Sequence, residues 1–179
     1  MNLPGWSISL LRDLPPAGQI IHRYPEAGGA YDDLLIRVRR DSGETWIAAC
    51  ARGDGLADGI FLFSSDSSRF VVLHKGAGYY LSCEDPKVWE ELPISPGIRH
   101  AIYDASAELL VVFDWIRGAA FGPTGIVWKS PRLFVDDLSV EHCSGDRIVL
   151  RGNEIPEESK IELSMRDGSI LSGHPSRYN

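Results

Sequence analysis

The stretch RFVVLHKGAGYYLSC, residues 69–83, decides the fold class. It holds two short runs rich in β-branched and aromatic residues, and the glycines of KGAG stand where the chain has to reverse. Runs of this length and composition, bounded by turn residues, are typical of strands. We therefore interpret 69–75 and 78–83 as two consecutive antiparallel strands.

The same alternation of apolar runs and turn residues continues along nearly the whole chain. Helical periodicity is weak: only 85–93 (DPKVWEELP) favours a helical turn, because Asp85 and Pro86 suit a helix start. A strand at 88–92 is the alternative for that segment. Further strands are predicted at 6–10, 19–24, 33–39, 44–51, 59–65, 98–103, 108–114, 117–122, 125–130, 137–143, 147–152, 159–165 and 169–173. The sequence predicts an all-β fold.

Short connections indicate that consecutive strands are antiparallel neighbours in a meander. The segments 62–86 and 111–131 echo each other, with Phe63 matching Phe113 and Gly78 matching Gly125. A period of about 45–50 residues with about four strands per unit is typical of propeller blades, although a β-sandwich would use the same strands. We expect a single all-β domain over 1–179, either a β-sandwich or a small propeller-like arrangement, with two pseudo-repeated halves meeting near 93–97.

The composition of the chain restricts the classes of binding partner and the cellular compartment that we expect. The net charge of −7 argues against a nucleic-acid partner, which needs a concentrated basic face. No run approaches the ~20 apolar residues that span a bilayer, and the first residues lack the pattern of a signal peptide. Three widely spaced cysteines, Cys50, Cys83 and Cys143, favour free thiols in a reducing compartment. We expect a cytoplasmic protein without membrane contact.

Motifs for metal, nucleotide or nucleophilic chemistry are missing from the sequence. The five histidines are isolated, with no HExxH or CxxC spacing, and no nucleophile elbow or phosphate-binding loop occurs. The segment GDGLADG, 53–59, carries Asp54 and Asp58 but lacks the order of a calcium loop, so a flexible turn is the better interpretation. We expect no metal site and no cofactor.

Tryptophans and paired carboxylates mark the candidate site. Trp115 follows an apolar run in the turn DWIRG, where an exposed ring beside Arg117 would suit a binding edge. The alternative is a ring folded back over its own hairpin. Asp136 and Asp137 precede another apolar run, so one of them could point inward, with Arg132 or turn amides as its hydrogen-bond partner. Trp46, Trp128 and Ile126 are predicted to lie in the core.

The stretches GIVWKSPRLFVDDLSV, DRIVLRGNE and KIELSMRDGSILSG share a pattern of turn and core positions. This part of the chain, roughly 105–173, resembles a family of uncharacterised bacterial all-β proteins. The matching positions are Gly125, Trp128, Ser130, Leu133, Asp136, Leu138, Asp167, Gly168 and Gly173. The family has no established activity, so the resemblance implies an all-β structure and no catalytic residue.

Two functions follow as hypotheses. The first is a non-catalytic protein-binding module that uses Trp115, Arg117, Asp136 and Asp137. The alternative is a hydrolase of the carbohydrate-active type, with Asp136, Asp137 and Asp114 as loop-end carboxylates. An enzyme needs carboxylates converging on a concave pocket, whereas a binding module needs exposed apolar surface.

Overall fold

The computed structural model describes residues 2–25, 33–63, 68–154 and 157–176. Within these ranges the chain forms strands and no helix, so the all-β prediction is confirmed. The strands are β1 (Asn2–Leu3), β2 (Trp6–Leu10), β3 (Ile21–Tyr24), β4 (Leu34–Arg40), β5 (Thr45–Cys50), β6 (Gly59–Leu62), β7 (Arg69–His74), β8 (Ala77–Ser82), β9 (Trp89–Glu91), β10 (His100–Asp104), β11 (Leu109–Phe113), β12 (Gly118–Gly122), β13 (Gly125–Lys129), β14 (Asp136–Ser144), β15 (Arg147–Asn153), β16 (Glu158–Ser164) and β17 (Ile170–Ser172).

The described strands assemble in chain order into four sheets. Sheet 1 has the order β1-β2-β4-β5-β3, and sheets 2, 3 and 4 contain β6–β9, β10–β13 and β14–β17 in sequential order. Sheets 2 to 4 are antiparallel meanders, as predicted. Sheet 1 departs from the meander, because the segment 11–20 carries the chain across to the far edge, where β3 pairs in parallel with β5. The meander prediction is therefore wrong for this sheet.

The four sheets pack face to face in a sandwich-like stack. Trp46 and Ile36 of sheet 1 share a core with Phe70 and Tyr79 of sheet 2. A second core joins sheets 2 and 3, and a third joins sheets 3 and 4. Stacked sheets bury the alternating side chains of both facing surfaces, and this burial is the main stabilising contribution.

The inner sheets are buried on both faces, which explains the continuous apolar runs within residues 69–83. On β7, Val72 faces sheet 1 while Val71 faces sheet 3. On β11, Val112 faces sheet 2 while Val111 faces sheet 4. Successive side chains of a strand point to opposite faces, so a strand inside the stack has to be apolar at every position.

Sheets 2, 3 and 4 are successive four-stranded units, and they do not align as the predicted echo of 62–86 with 111–131 does. The second strands of sheets 2, 3 and 4 begin at Arg69, Leu109 and Arg147, about 40 residues apart. Pairing Phe63 with Phe113 is wrong, because Phe63 follows the first strand of its sheet and Phe113 ends the second. The error arises because any two apolar hairpins share the same period, whatever their position in a sheet.

The segment 85–93 forms a turn followed by β9, so the helical alternative is wrong. The Asp85 carboxylate accepts the amide of Lys87 at 2.9 Å, and the Asp85 carbonyl accepts the amide of Val88 at 3.0 Å. These bonds close a turn, and β9 begins directly after it at Trp89. The predicted boundary at 93–97 falls between sheets 2 and 3, where Ile94 and Ile98 enter the core that both sheets share.

The glycine-rich segment 51–58 lies against the rest of the stack and is held by backbone hydrogen bonds. The amide of Gly55 donates to the carbonyl of Lys75 at 2.9 Å, and the amide of Leu56 donates to the carbonyl of Ile98 at 3.0 Å. A Cβ atom on Gly55 would lie 2.1 Å from the Ile98 oxygen, so only glycine allows this approach. The interpretation of 53–59 as a flexible turn is therefore wrong.

Sheet 4 ends the stack with a charged outer face. Its inward side chains, Ile148 and Leu150 among them, are buried against sheet 3. On the outward face, the Glu141 carboxylate lies 3.1 Å from Arg151 Nε and 2.8 Å from Lys160 Nζ. Alternation along β15 and β16 therefore separates an apolar face from an ion-paired one.

Candidate functional site

The turn between β11 and β12 is built by Asp114. Its Oδ1 accepts the amides of Ile116 at 2.7 Å and Arg117 at 2.8 Å, and its Oδ2 lies 3.4 Å from Arg117 Nε. An aspartate that accepts amides two and three residues further on fixes a reversal of the chain. Trp115 follows directly, so its position is set by a rigid turn.

Trp115 presents its ring at the surface, with 46% of the residue exposed. The guanidinium carbon of Arg99 lies 3.7 Å from the ring centroid, a close cation–π contact. The Arg99 side chain is mostly buried, and its Nη1 lies 3.4 Å from Oδ1 of Asp137. Of the two alternatives for Trp115, the exposed ring is observed, with Arg99 stacked on it.

Asp136 and Asp137 both point to solvent. Asp136 Oδ1 accepts the amide of Asp137 at 2.7 Å, and Asp137 has a φ of 55°, in the left-handed region. The amide of Leu138 then donates to the carbonyl of Trp115 at 2.9 Å. This bond joins the Trp115 turn of sheet 3 to the first strand of sheet 4.

Arg132 has a different role from the expected one. It donates to the carbonyls of Phe134 at 3.0 Å and Val135 at 2.7 Å, so it bonds to neither aspartate. An inward carboxylate was the reason to expect that pairing, and neither Asp136 nor Asp137 is inward.

Of the four predicted binding residues, Trp115 and Asp137 contact Arg99, which the sequence did not indicate, and Arg117 lies on the same turn as Trp115. Asp136 accepts the amide of Asp137 and is not part of this group. Arg99 links Trp115 to Asp137, and Asp114 places Trp115 and Arg117 on one turn. We call Arg99, Asp114, Trp115, Arg117 and Asp137 the Trp115 cluster. Arg99 directly precedes β10, and no sequence motif distinguishes it from the other arginines of the chain.

His100 lies beside this cluster and hydrogen-bonds to the backbone at Leu138. Burial, reinforced by the positive charge of Arg99, lowers the pKa of the His100 imidazole below its ordinary value, although the bond to Leu138 acts the other way. His100 is therefore neutral at neutral pH, and the charge beside Trp115 belongs to Arg99.

Of the three residues predicted to lie in the core, two are buried and one is exposed. Trp46 and Trp128 are buried, and each indole donates to the carbonyl that directly follows a strand of the next sheet: Trp46 to Cys83 at 3.1 Å and Trp128 to Met165 at 2.8 Å. Ile126 is 48% exposed, so its core prediction is wrong. A β-bulge in β13, opposite the step from Ala120 to Phe121, changes which face the residues of β13 point to, and hydrophobic periodicity in the sequence does not reveal a bulge.

The described ranges contain no group of three or more histidine, cysteine, aspartate or glutamate side chains placed to hold a metal ion. Those same ranges contain no helix of the length and apolarity that crossing a membrane requires. No protein-family model matches the chain, and a search of curated proteins gives no match either.

Proposed function

We propose that this chain is a non-catalytic protein-binding module that contacts its partner through the Trp115 cluster. The observation that carries the proposal is the half-exposed Trp115 ring, stacked against Arg99 on a turn that Asp114 holds rigid. Tryptophan and arginine are the residues most enriched among those that dominate binding energy at protein interfaces.

Rigidity is the second support. Binding costs conformational entropy whenever a mobile side chain becomes fixed, so a side chain that is already fixed binds at lower cost. Arg99 is held between the Trp115 ring and the Asp137 carboxylate, and the Trp115 carbonyl accepts the Leu138 amide. The cluster therefore presents a preorganised aromatic and charged surface.

A protein partner fits the charge better than nucleic acid or a membrane surface. The net charge of −7 disfavours binding to phosphate backbones and to anionic lipid. Within the Trp115 cluster, Arg99 and Arg117 each lie beside an aspartate, so neither offers an uncompensated positive charge. We propose a cytoplasmic location as well, supported by the three free cysteines.

The hydrolase alternative has weaker support. Asp114 accepts two amides of its own turn, Asp136 accepts the amide of Asp137, and Asp137 lies beside Arg99. A glycosidase needs two carboxyl groups facing each other across a substrate. Asp136 and Asp137 are exposed at the start of β14, and none of the three carboxylates lines the cleft of about 650 Å³ between sheets 3 and 4.

We also propose that the chain belongs to the uncharacterised bacterial all-β family that its C-terminal part resembles. Two positions of the shared pattern, Trp128 and Gly168, are in contact: a Cβ atom on Gly168 would lie 2.7 Å from the Trp128 ring. Because a side chain at position 168 would collide with the Trp128 ring, proteins of the family that keep the tryptophan are expected to keep the glycine as well.

The test is a quantitative pull-down from native lysate after chemical cross-linking, with three baits. The wild-type chain and Leu10→Ala, which removes an exposed apolar side chain of sheet 1, should capture the same partner. Trp115→Ala should lose that partner at least about ten-fold. Equal capture by all three baits would contradict the proposal. So would release of nitrophenol from aryl glycosides by the wild-type chain and not by Asp137→Asn.

A further inference from the structure

A cleft of about 650 Å³ lies between sheets 3 and 4, at the strand ends opposite the Trp115 turn. It is enclosed by the turns that join β10 to β11, β12 to β13, β14 to β15 and β16 to β17. The strand β11 separates it from the Trp115 turn by about 16 Å, at about 3.3 Å per residue. The volume is that of a ligand-binding site.

The β-bulge in β13 shapes one wall of this cleft. In the register with β12, Trp128 lies opposite Ala120 and Ile126 lies opposite Phe121, which leaves Val127 as the additional residue. Trp128 packs in the core between sheets 3 and 4, and Val127 points into the cleft beside it while remaining 49% exposed. Bulges redirect side chains in this way next to functional sites.

Apolar surface continues from Val127 into the depth of the cleft. Leu109 and Met165 line it and are themselves nearly fully buried. The lining therefore offers an apolar floor, which the folded chain leaves accessible at Val127.

The rim of the cleft is acidic. Asp104, Glu108 and Asp146 line it, and its only lining cation among the described residues is Arg166, whose Nε lies 3.6 Å from Asp146 Oδ2. The Ser106 hydroxyl, with the amides of Ala107 and Ser106, holds the pKa of Asp104 below its usual value. Asp104 is thus a carboxylate at neutral pH, and three acidic groups face one base.

The adjoining edge of sheet 3 is open. β13 is an edge strand, and within the described ranges no strand pairs with its outer side. The equivalent edge strand of sheet 2, β9, carries Glu90 and Glu91, whereas β13 exposes Ile126 and Val127 at its centre. Charged residues protect sheet edges from pairing, and an apolar edge lacks that protection.

We infer that the cleft binds an extended polypeptide segment of a partner, which carries lysine or arginine next to apolar side chains and adds as a strand along β13. The main chain pairs with the open edge of the strand, apolar side chains contact Val127, and basic side chains meet the acidic rim. The inference concerns a surface separate from the Trp115 cluster and does not depend on it. Charge complementarity and the open edge together select this occupant.

The probe is a fluorescein-labelled peptide of about ten residues in which lysine and valine alternate, with a glutamate–valine twin as its control. Binding to the full chain is followed by fluorescence anisotropy. We expect the basic peptide to bind at least about ten-fold more tightly than the acidic one, with affinity falling as salt is raised from about 50 to about 300 mM.

Three variants locate the site. The pair Asp104→Asn and Asp146→Asn removes two charges from the rim and keeps the Asp104 side-chain oxygen that the turn requires. Its matched control is the pair Asp13→Asn and Asp41→Asn, which removes two exposed charges from the sheet 1 region. The rim pair should weaken binding at least about ten-fold and the control pair less than about two-fold. Val127→Ser should also weaken binding, and Trp115→Ala should leave it unchanged.

Equal losses in the rim and control pairs would show attraction to net charge only and would overturn the inference, as would failure of the basic peptide to bind. Hydrogen–deuterium exchange on the wild-type chain provides a readout that needs no variant. Saturating basic peptide should slow exchange at 125–129. Unchanged exchange there, with peptide bound, would equally overturn strand addition.

Discussion

The indole Nε1 of Trp128 donates a hydrogen bond to the carbonyl of Met165 at 2.8 Å, across the interface between sheets 3 and 4. Trp46 makes the equivalent bond from sheet 1 to the carbonyl of Cys83, beside sheet 2, at 3.1 Å. Both rings are buried. Each tryptophan therefore supplies apolar area to a core and satisfies a carbonyl at the end of a strand of the neighbouring sheet.

Trp128→Ala should lower the free energy of unfolding by about 3–5 kcal/mol, because it leaves a cavity and an unpaired carbonyl. Trp128→Phe keeps most of the ring area and loses the hydrogen bond, so we expect a smaller cost of about 1–3 kcal/mol. Urea denaturation followed by circular dichroism measures both. A near-neutral result for Trp128→Ala would mean that the ring contributes little to the core between sheets 3 and 4.

Asp114→Ala should destabilise the chain by about 1–2 kcal/mol, since the amides of Ile116 and Arg117 lose their acceptor. Asp114→Asn retains an acceptor oxygen and should cost less. Thermal unfolding of the two variants beside the wild type separates the hydrogen bonds from the charge. If both variants lose equal stability, the contact with Arg117 matters more than the turn amides.

Gly55→Ala should cost about 1–3 kcal/mol, because the new Cβ atom meets the backbone of Ile98 and the segment 51–58 has to move. Gly97→Ala is the matched control: the nearest atom to its Cβ is Asp54 Oδ1 at 3.8 Å, so its effect should stay within about 1 kcal/mol. Denaturant midpoints of the two variants give the comparison. Similar midpoints would mean that the segment 51–58 moves to accommodate the Cβ atom without loss of stability.

The stability of the chain should fall as pH is lowered from about 7.5 to about 5.5, in part through His100. Its folded pKa lies below the ordinary value of about 6.5, so the unfolded chain binds the proton first as pH falls. The contribution of neutral His100 is therefore complete above that value and is lost towards the lowered pKa. In urea titrations, His100→Gln should show a smaller pH difference than wild type. Identical pH dependence in the two chains would exclude His100 as a source.

The strands of the inner sheets were predictable because a strand that is buried on both faces is apolar at consecutive positions. Val71 and Val72 face different sheets, and both have to be apolar. The parallel pairing of β3 with β5 was not predictable, since it depends on where the segment 11–20 leads the chain. The exposure of Ile126 also escaped prediction, because a bulge shifts the alternation without changing composition.

The candidate site was predictable in part for a similar reason. Trp115 stands in a turn, and turns lie at the surface, so its exposure follows from local sequence. Arg99 and Asp137 are far apart in sequence, and their contact exists only because sheets 3 and 4 stack. The cleft could not be predicted from the sequence, because the four turns that enclose it are far apart along the chain and meet only in the folded structure.

The ion pairs on the outer face of sheet 4 determine where the stack ends. Each inner sheet offers apolar surface on both sides, and such an arrangement could in principle continue into a fibre by adding sheets from other chains. Glu141, with Arg151 and Lys160, would have to shed hydration water before another sheet could cover them, and burying these charges opposes that step. The charged outer face of sheet 4 thus disfavours the packing of a further sheet and limits the stack to a single chain at this end.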